Sequence, residues 1–205
     1  MKKTGTKDKI LTEALKLFAQ KGYESVSVIE IAEAVGIKAP SLYKHYKSKR
    51  DIFDSILNKV CKMDAQKANE YDMPEKPIEE DCDSYKGISS EKIGAYTKAM
   101  FLHWTKEEFF CCFRRLLTLE QYKNPEMAEL YRQYISDGPV QYMADVFRSM
   151  TNSKQEALQA ALEFYGPMYL LYAVYDEDGD IDRGIARLEE HVERFSRTVK
   201  TDNKL

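Results

Sequence analysis

A chain of 205 residues, 43% hydrophobic and 32% charged, has the balance of a soluble globular protein, with room for one large domain or a small one joined to a larger. Those proportions exclude a disordered chain, and no apolar run approaches the roughly 18 residues a membrane span requires. The net charge of −3 conceals a division: residues 1–62 carry twelve lysines and one arginine against seven acids, a balance of +6, and the remainder carries −9. A basic quarter on an acidic body points to two parts with different partners, nucleic acid suiting the first.

β-Branched alternation is nearly absent and apolar residues recur at three and four, so the expected fold class is all-α, about nine helices in total. The basic start MKKTGTKDK runs into an amphipathic segment, not the unbroken apolar stretch of a signal peptide, and a cytoplasmic protein is expected. The first helix runs from about Thr6 to Lys21, with Ile10, Leu11, Ala14, Leu15 and Phe18 on one face and Gly22 as its stop. Ser27 and Glu30 form a capping box for the second, with Val26 and Ile31 placed as a hydrophobic staple. Val28, Ile31, Ala32 and Val35 give that helix its buried face, and Gly36 ends it. Pro40 stands at the start of a third helix, where its missing N–H costs nothing, and Leu42 and Tyr46 are its inward pair. Ser48 and Asp51 box the fourth helix, which carries Ile52, Phe53, Ile56, Leu57 and Val60 to Ala65 or beyond.

Two helices of about eight residues, joined by a glycine-bearing turn and propped by another, make a helix-turn-helix over about residues 27–46. The second of them fits a DNA major groove, about 12 Å wide. With Leu42 and Tyr46 inward, Ser41, Tyr43, Lys44, His45 and Lys47 occupy the other faces. They combine cations for phosphate, hydroxyl donors and an imidazole that can read a base. Lysines on any solvated helix look alike in isolation; here the motif around Lys38, Lys44, Lys47 and Lys49 turns them towards phosphate.

Residues 72–89, with two prolines and an acidic cluster, read as a loop. A fifth helix follows (Ile93, Tyr96, Met100, Phe101, Trp104), then a sixth boxed by Thr105 and Glu108 (Phe109, Cys112, Phe113, Leu116, Leu117). Asn124-Pro125 opens a long seventh helix to about Met150, kinked at Gly138-Pro139. Ser153 and Glu156 open the eighth, interrupted at Gly166-Pro167. The last helix spaces Ile181, Ile185, Leu188, Val192, Phe195 and Val199 as a narrow seam. That seam (Ile185, Leu188, Val192, Phe195) and Leu158 and Leu162 of the eighth helix either close the core or pair with a second copy as a four-helix bundle. Met100, Trp104, Phe109, Phe113, Tyr142, Phe147, Tyr165 and Tyr169 either pack as core or line a pocket for a flat ligand.

Other chemistry finds no support in the residues. Cys61, Cys82, Cys111 and Cys112 lack zinc spacing; adjacent thiols such as Cys111 and Cys112 can oxidise and serve as a sensor, but the FFCCF run better suits buried, inert thiols. His103 and His191 have no ligand-spaced partners. Asp178, Asp180, Asp182 and Glu189 mimic a calcium loop, but Arg183 stands where that loop needs glycine. No nucleophile–base pair or paired carboxylates stand out, so neither catalytic residues, a metal nor a cofactor is expected.

ILTEALKLFAQKGYESVSVIEIAEAVGIKAPSLYKHYKSKRDIF, inside Thr6 to Leu57, resembles the DNA-binding domain of the tetracycline-repressor (TetR) family. ALKLFAQKGY, the Ser-Val pair before EIAEAVGI, and LYKHYKSK carry the likeness. The resemblance implies residues 1–62 as DNA-binding domain and 63–205 as effector-binding and dimerisation domain. It implies a homodimer on double-stranded DNA with a near-palindromic operator, released by an unidentified small-molecule effector, with no membrane partner. Carried over by position, the DNA contacts are Ser27, Ala39, Pro40, Ser41, Tyr43, Lys44 and His45, with Lys49 on phosphate. Tyr43 matches a backbone-contacting position, and Ala39 and Lys44 match positions that choose the operator. Tyr46 stands where the family often has phenylalanine; a hydroxyl there is tolerable if its tip reaches water. The alternative within the same fold is a division or architectural factor that works through a protein partner without a ligand.

Overall fold

The computed structural model describes residues 5–202, all-α as expected, with no strand among them. The chain divides into two compact units: residues up to Asp64 with Glu107–Tyr131, and Ala65–Lys106 with the residues from Arg132 on. The first break lies two residues past the expected boundary at 62, inside α4 (Lys49–Glu70). That Glu107–Tyr131 returns to the first unit had no signal in the sequence.

In the first unit, α1 (Thr6–Lys21) buries Ile10, Leu11, Ala14, Leu15 and Phe18. Burying one such side chain stabilises by about 1.5–3 kcal/mol, which is why this face sets the position of the helix. Gly22 ends it at φ 83°, its amide donating to Phe18 O at 2.9 Å. A β-carbon at Gly22 would also sit 2.7 Å from Glu120 Oε1 of α6 (Glu108–Glu120), the helix that packs along α1. Helix α2 (Val28–Val35) carries the expected capping box: Glu30 N–H donates to Ser27 Oγ at 3.2 Å, and Ser27 N–H to Glu30 Oε2 at 2.8 Å. Val26 and Ile31 are both buried, as a staple requires.

The regular part of α3 is only Ala39–Leu42, half the expected length. The chain coils on to Tyr46 in tighter turns, because the Lys44 and His45 amides donate three residues back, to Ser41 O and Leu42 O. Ser48 caps α4, accepting from Asp51 N–H at 3.1 Å, while the Asp51 carboxylate takes the Lys47 amide instead of Ser48's own.

The second unit holds a strap over residues 71–89, then α5 (Ser90–Lys106), α8 (Asp137–Phe147), α9 (Lys154–Asp178) and α10 (Ile181–Asp202). Its core is aromatic: Phe101 stacks on Tyr172 at 5.4 Å, and Phe147, Phe164 and Phe195 enclose one another at 4.9–5.4 Å. Glycines bring α10 close to α5. Added β-carbons would lie 3.2 Å from Phe101 at Gly184 and 2.9 Å from Val192 at Gly94. Of the expected seam, Leu188 is wholly buried and Ile185, Val192 and Phe195 half-buried; the Val199 side chain lies outside the described residues.

Three expectations need correction. Thr105 caps nothing: α5 continues through it, and its hydroxyl donates to Phe101 O at 2.6 Å. The long seventh helix is two, α7 (Pro125–Tyr134) and α8, parting at Ile135–Ser136. Pro139 then falls in the first turn of α8, where no amide is needed, and causes no kink. Gly138 is there because a β-carbon would stand 1.9 Å from Gln133 O. Helix α9 runs unbroken through Gly166-Pro167. A single missing amide is tolerated by a helix of 25 residues packed along α8 and α10.

Candidate nucleic-acid interface

Leu42 is wholly buried and Tyr46 is 6% exposed, so the recognition segment turns inward as its spacing requires. The Tyr46 hydroxyl donates to Lys7 O at 3.4 Å, and burial pushes it up. With that pair fixed, Pro40, Tyr43, Lys44 and Lys47 are exposed and Ala39, Ser41 and His45 half-exposed. Tyr43 shows 53% of its surface, an aromatic held in water with its hydroxyl outward-accessible. Lys38, Lys44 and Lys47 have no side-chain partner among the described residues, so three ammonium groups of the turn and recognition segment are uncommitted.

Ser27 is exposed at the N-cap of α2, its oxygen already accepting from Glu30 N–H while its proton stays free to donate. Glu30 is held down to about 2, first by the Ser27 amide and next by the Lys21 ammonium at 3.0 Å. Glu30 therefore stays ionised, and the Lys21 ammonium beside it offsets part of its charge. Ile29, 59% exposed beside Ser27, went unremarked in the sequence; its place off the Ile31, Ala32 and Val35 face was the signal available.

Several other cations of this unit are committed. Lys9 donates to Val35 O at 2.8 Å, and Arg50 holds Glu126 with two nitrogens at 2.7 and 2.8 Å and Asp54 at 2.7 Å. Lys49, expected on phosphate, donates to Tyr23 O at 2.9 Å and Glu24 O at 3.2 Å.

The aromatic set divides. Phe109 and Phe113 belong to the first unit, where the Lys59 ammonium lies 4.7 Å from the Phe109 ring. In the second unit Trp104 packs near Tyr134 at 6.4 Å, Tyr165 donates to Ile135 O at 2.8 Å, and Phe147 belongs to the triad above. Tyr142 donates to Pro74 O at 3.1 Å, Met100 is half-buried, and Tyr169 is 43% exposed. A separate groove of about 480 Å³ lies between α5 and α10, lined by Gly94, Ala95, Lys98, Leu188, Val192 and Arg197 among others. On α9, Leu158 is half-buried and Leu162 and Leu170 are 49% and 62% exposed. His103 is buried and His191 Nε2 bonds Phe164 O at 2.8 Å. Burial pushes the Cys112 thiol up, away from reactivity. Among the described residues no cluster suits a metal, and no helix is long and apolar enough to cross a membrane.

Residues 10–56 match the family model "Bacterial regulatory proteins, tetR family". The biofilm operon icaADBC HTH-type negative transcriptional regulator IcaR of Staphylococcus aureus is 39% identical over 70 residues, 31% of this chain and 38% of IcaR. This chain thus aligns with less than half the length of that curated relative. Along the whole chain the likeness is one of fold. A TetR transcriptional regulator from Legionella pneumophila superimposes with a TM-score of 0.62 at 18% identity, covering 98% of this chain and 99% of that one. The SmeT–triclosan complex does so at 0.62 and 14% identity, covering 92% and 90%. Residues 10–56 thus match the DNA-binding region of the tetR family of bacterial regulatory proteins, and the chain as a whole shares the fold of solved regulators.

Proposed function

We propose that this protein is a cytoplasmic, homodimeric, sequence-specific transcriptional repressor, released from a near-palindromic operator when a small molecule binds its second unit. The observation that carries the reading is the recognition segment: an anchored helical turn with Tyr43, Lys44 and Lys47 exposed and three lysines uncommitted. Ser27, Ala39, Pro40, Ser41, Tyr43, Lys44, His45 and Lys49 form the contact set, Tyr43 on the backbone, Lys49 on phosphate, and Ala39 and Lys44 on bases.

For dimerisation the support lies on α9, where Leu162, Tyr169 and Leu170 are exposed along one helix. The residues of α10 contribute less, because Phe195 and Val192 already pack within the chain. Two recognition segments on one face of DNA must stand about 34–36 Å apart, one helical turn. For the effector we propose the second-unit set Met100, Trp104, Tyr142, Phe147, Tyr165 and Tyr169. Several are already packed, so a ligand there must displace aromatic neighbours, which is how binding reshapes the unit. SmeT, of the same fold, has been seen with triclosan, an apolar aromatic of the kind such walls suit.

The test is fluorescence anisotropy on duplexes from around the protein's own gene, at fixed salt, with a panel of aromatic and cationic compounds. Tight site-specific binding abolished by one compound is the expected result. Binding that no compound disturbs supports the ligand-free factor instead, and weak sequence-blind binding defeats both.

A further inference from the structure

Ile29 leaves 59% of its surface in water, and between residues 27 and 46 only Tyr43 among the other large hydrophobic side chains is also exposed. A single apolar side chain in water is ordinary on most surfaces. Here its position is what counts. Ile29 is the second residue of α2, two along from the Ser27 cap, and it stands off the face that buries Ile31, Ala32 and Val35.

The surroundings of Ile29 are fixed. The capping box ties Ser27 to Glu30 through the amide of each, and Val26 and Ile31 are buried before and after it. A β-branched side chain on a helix also holds essentially one χ1 rotamer. An apolar surface already set in place loses little freedom when something covers it.

The side chains of α2 have no positive charge to offer a phosphate. The helix VIEIAEAV contains no lysine or arginine; its acids are Glu30, paired with Lys21 at 3.0 Å, and the exposed Glu33. Beyond the Ser27 hydroxyl, what the start of this helix can bring to a duplex is the Ile29 side chain. In a helix-turn-helix the first helix crosses the sugar-phosphate backbone while the second enters the groove, so the start of α2 stands at the groove wall. The apolar group that base edges present in the major groove is the 5-methyl of thymine.

Resting on the DNA-binding reading above, we propose that Ile29 is a specificity-determining residue that covers the 5-methyl group of a thymine in each half of the operator. It adds one base preference to those set by Ala39 and Lys44.

Deoxyuridine differs from thymidine by that methyl alone, so the contact can be deleted from the DNA side with base pairing kept. The wild type would be used to select duplexes from a random-sequence pool. Thymines of a selected duplex would then be replaced in turn by deoxyuridine, symmetry-related pairs together. Affinities of wild type, Ile29→Ala and Ile29→Val would be compared by anisotropy at fixed salt. Circular dichroism at the measuring temperature would confirm each variant folded. The expected result is one symmetric pair of thymines whose replacement weakens wild type about fifteenfold, from two methyls at about fourfold each. The same replacement should leave Ile29→Ala nearly unaffected, with Ile29→Val in between.

If no thymine pair matters more to wild type than to Ile29→Ala, the side chain covers no methyl group and the proposal fails. That holds even where Ile29→Ala weakens every duplex alike, because Ile29 then meets only the sugar-phosphate backbone. Undiminished affinity of Ile29→Ala for the selected duplex shows that the side chain meets nothing, and overturns it also. A wild type that selects no duplex defeats the DNA-binding reading first, a failure visible before any variant is compared.

Discussion

Tyr43 and Glu30 show how single side chains divide the work of the recognition unit. Tyr43 is exposed and carries a hydroxyl for the backbone; replacing it with alanine should weaken selected and random duplexes alike, by about 1 kcal/mol or some fivefold, in anisotropy at fixed salt. Substitutions at Lys44 should instead change which duplexes a random pool yields. Glu30 is half-exposed yet held near 2 by its hydrogen bonds. Because its folded value lies below its unfolded one, its contribution is complete above the ordinary carboxylate range. It is lost as pH falls through that range towards about 2. An NMR titration should place the Glu30 midpoint there, and Lys21→Gln should raise it by removing the second-ranked cause.

Among the helices, what the sequence made legible was whatever four consecutive residues settle alone. The caps at Ser27 and Ser153 are such cases: each side-chain oxygen accepts the amide three residues on, at 3.2 and 3.1 Å. Thr105 and Glu108 have the same spacing and fail, because Thr105 is buried within α5 and its hydroxyl goes back to Phe101. Proline misled at both positions for one reason. Its cost depends on whether its missing amide had a partner and whether neighbouring helices hold the axis, and neither is written locally. The recognition residues were legible because a turn and two inward side chains fix them. The engagement of Lys49 was not, since Tyr23 lies 26 residues away in the chain. Gly138 gives the sharpest test at this scale. Alanine there would drive a methyl into Gln133 O, so Gly138→Ala should lower stability by at least 3 kcal/mol in denaturant unfolding, far beyond the roughly 1 kcal/mol of an ordinary helix glycine and with the opposite sign.

For the molecule as a whole, affinity for a two-fold operator is a product of reading and pairing. If α9 carries the pairing, Leu162→Glu with Leu170→Glu should shift sedimentation from dimer to monomer while leaving helical content unchanged. Binding to a full operator should then fall at least a hundredfold, to the level of one half-site, whereas Tyr43→Ala weakens DNA binding and leaves the dimer intact.

The strap over residues 71–89 bears on how long the chain stays in one piece. Met73 and Pro74 are buried at one end and Tyr85 and Ile88 at the other, while Glu79–Ser84 between them is exposed. Hydroxyls fasten it, Tyr142 to Pro74 O and Tyr85 to Lys76 O, and burial pushes Tyr85 up to about 12, so both fastenings persist through any physiological pH. A protease specific for glutamate should therefore cut first at Glu79 or Glu80. Trypsin, blocked by the proline after Lys76, should start at Lys86. Either nick leaves both stumps fastened, so the cleaved protein should elute from a sizing column as intact and come apart only in denaturant.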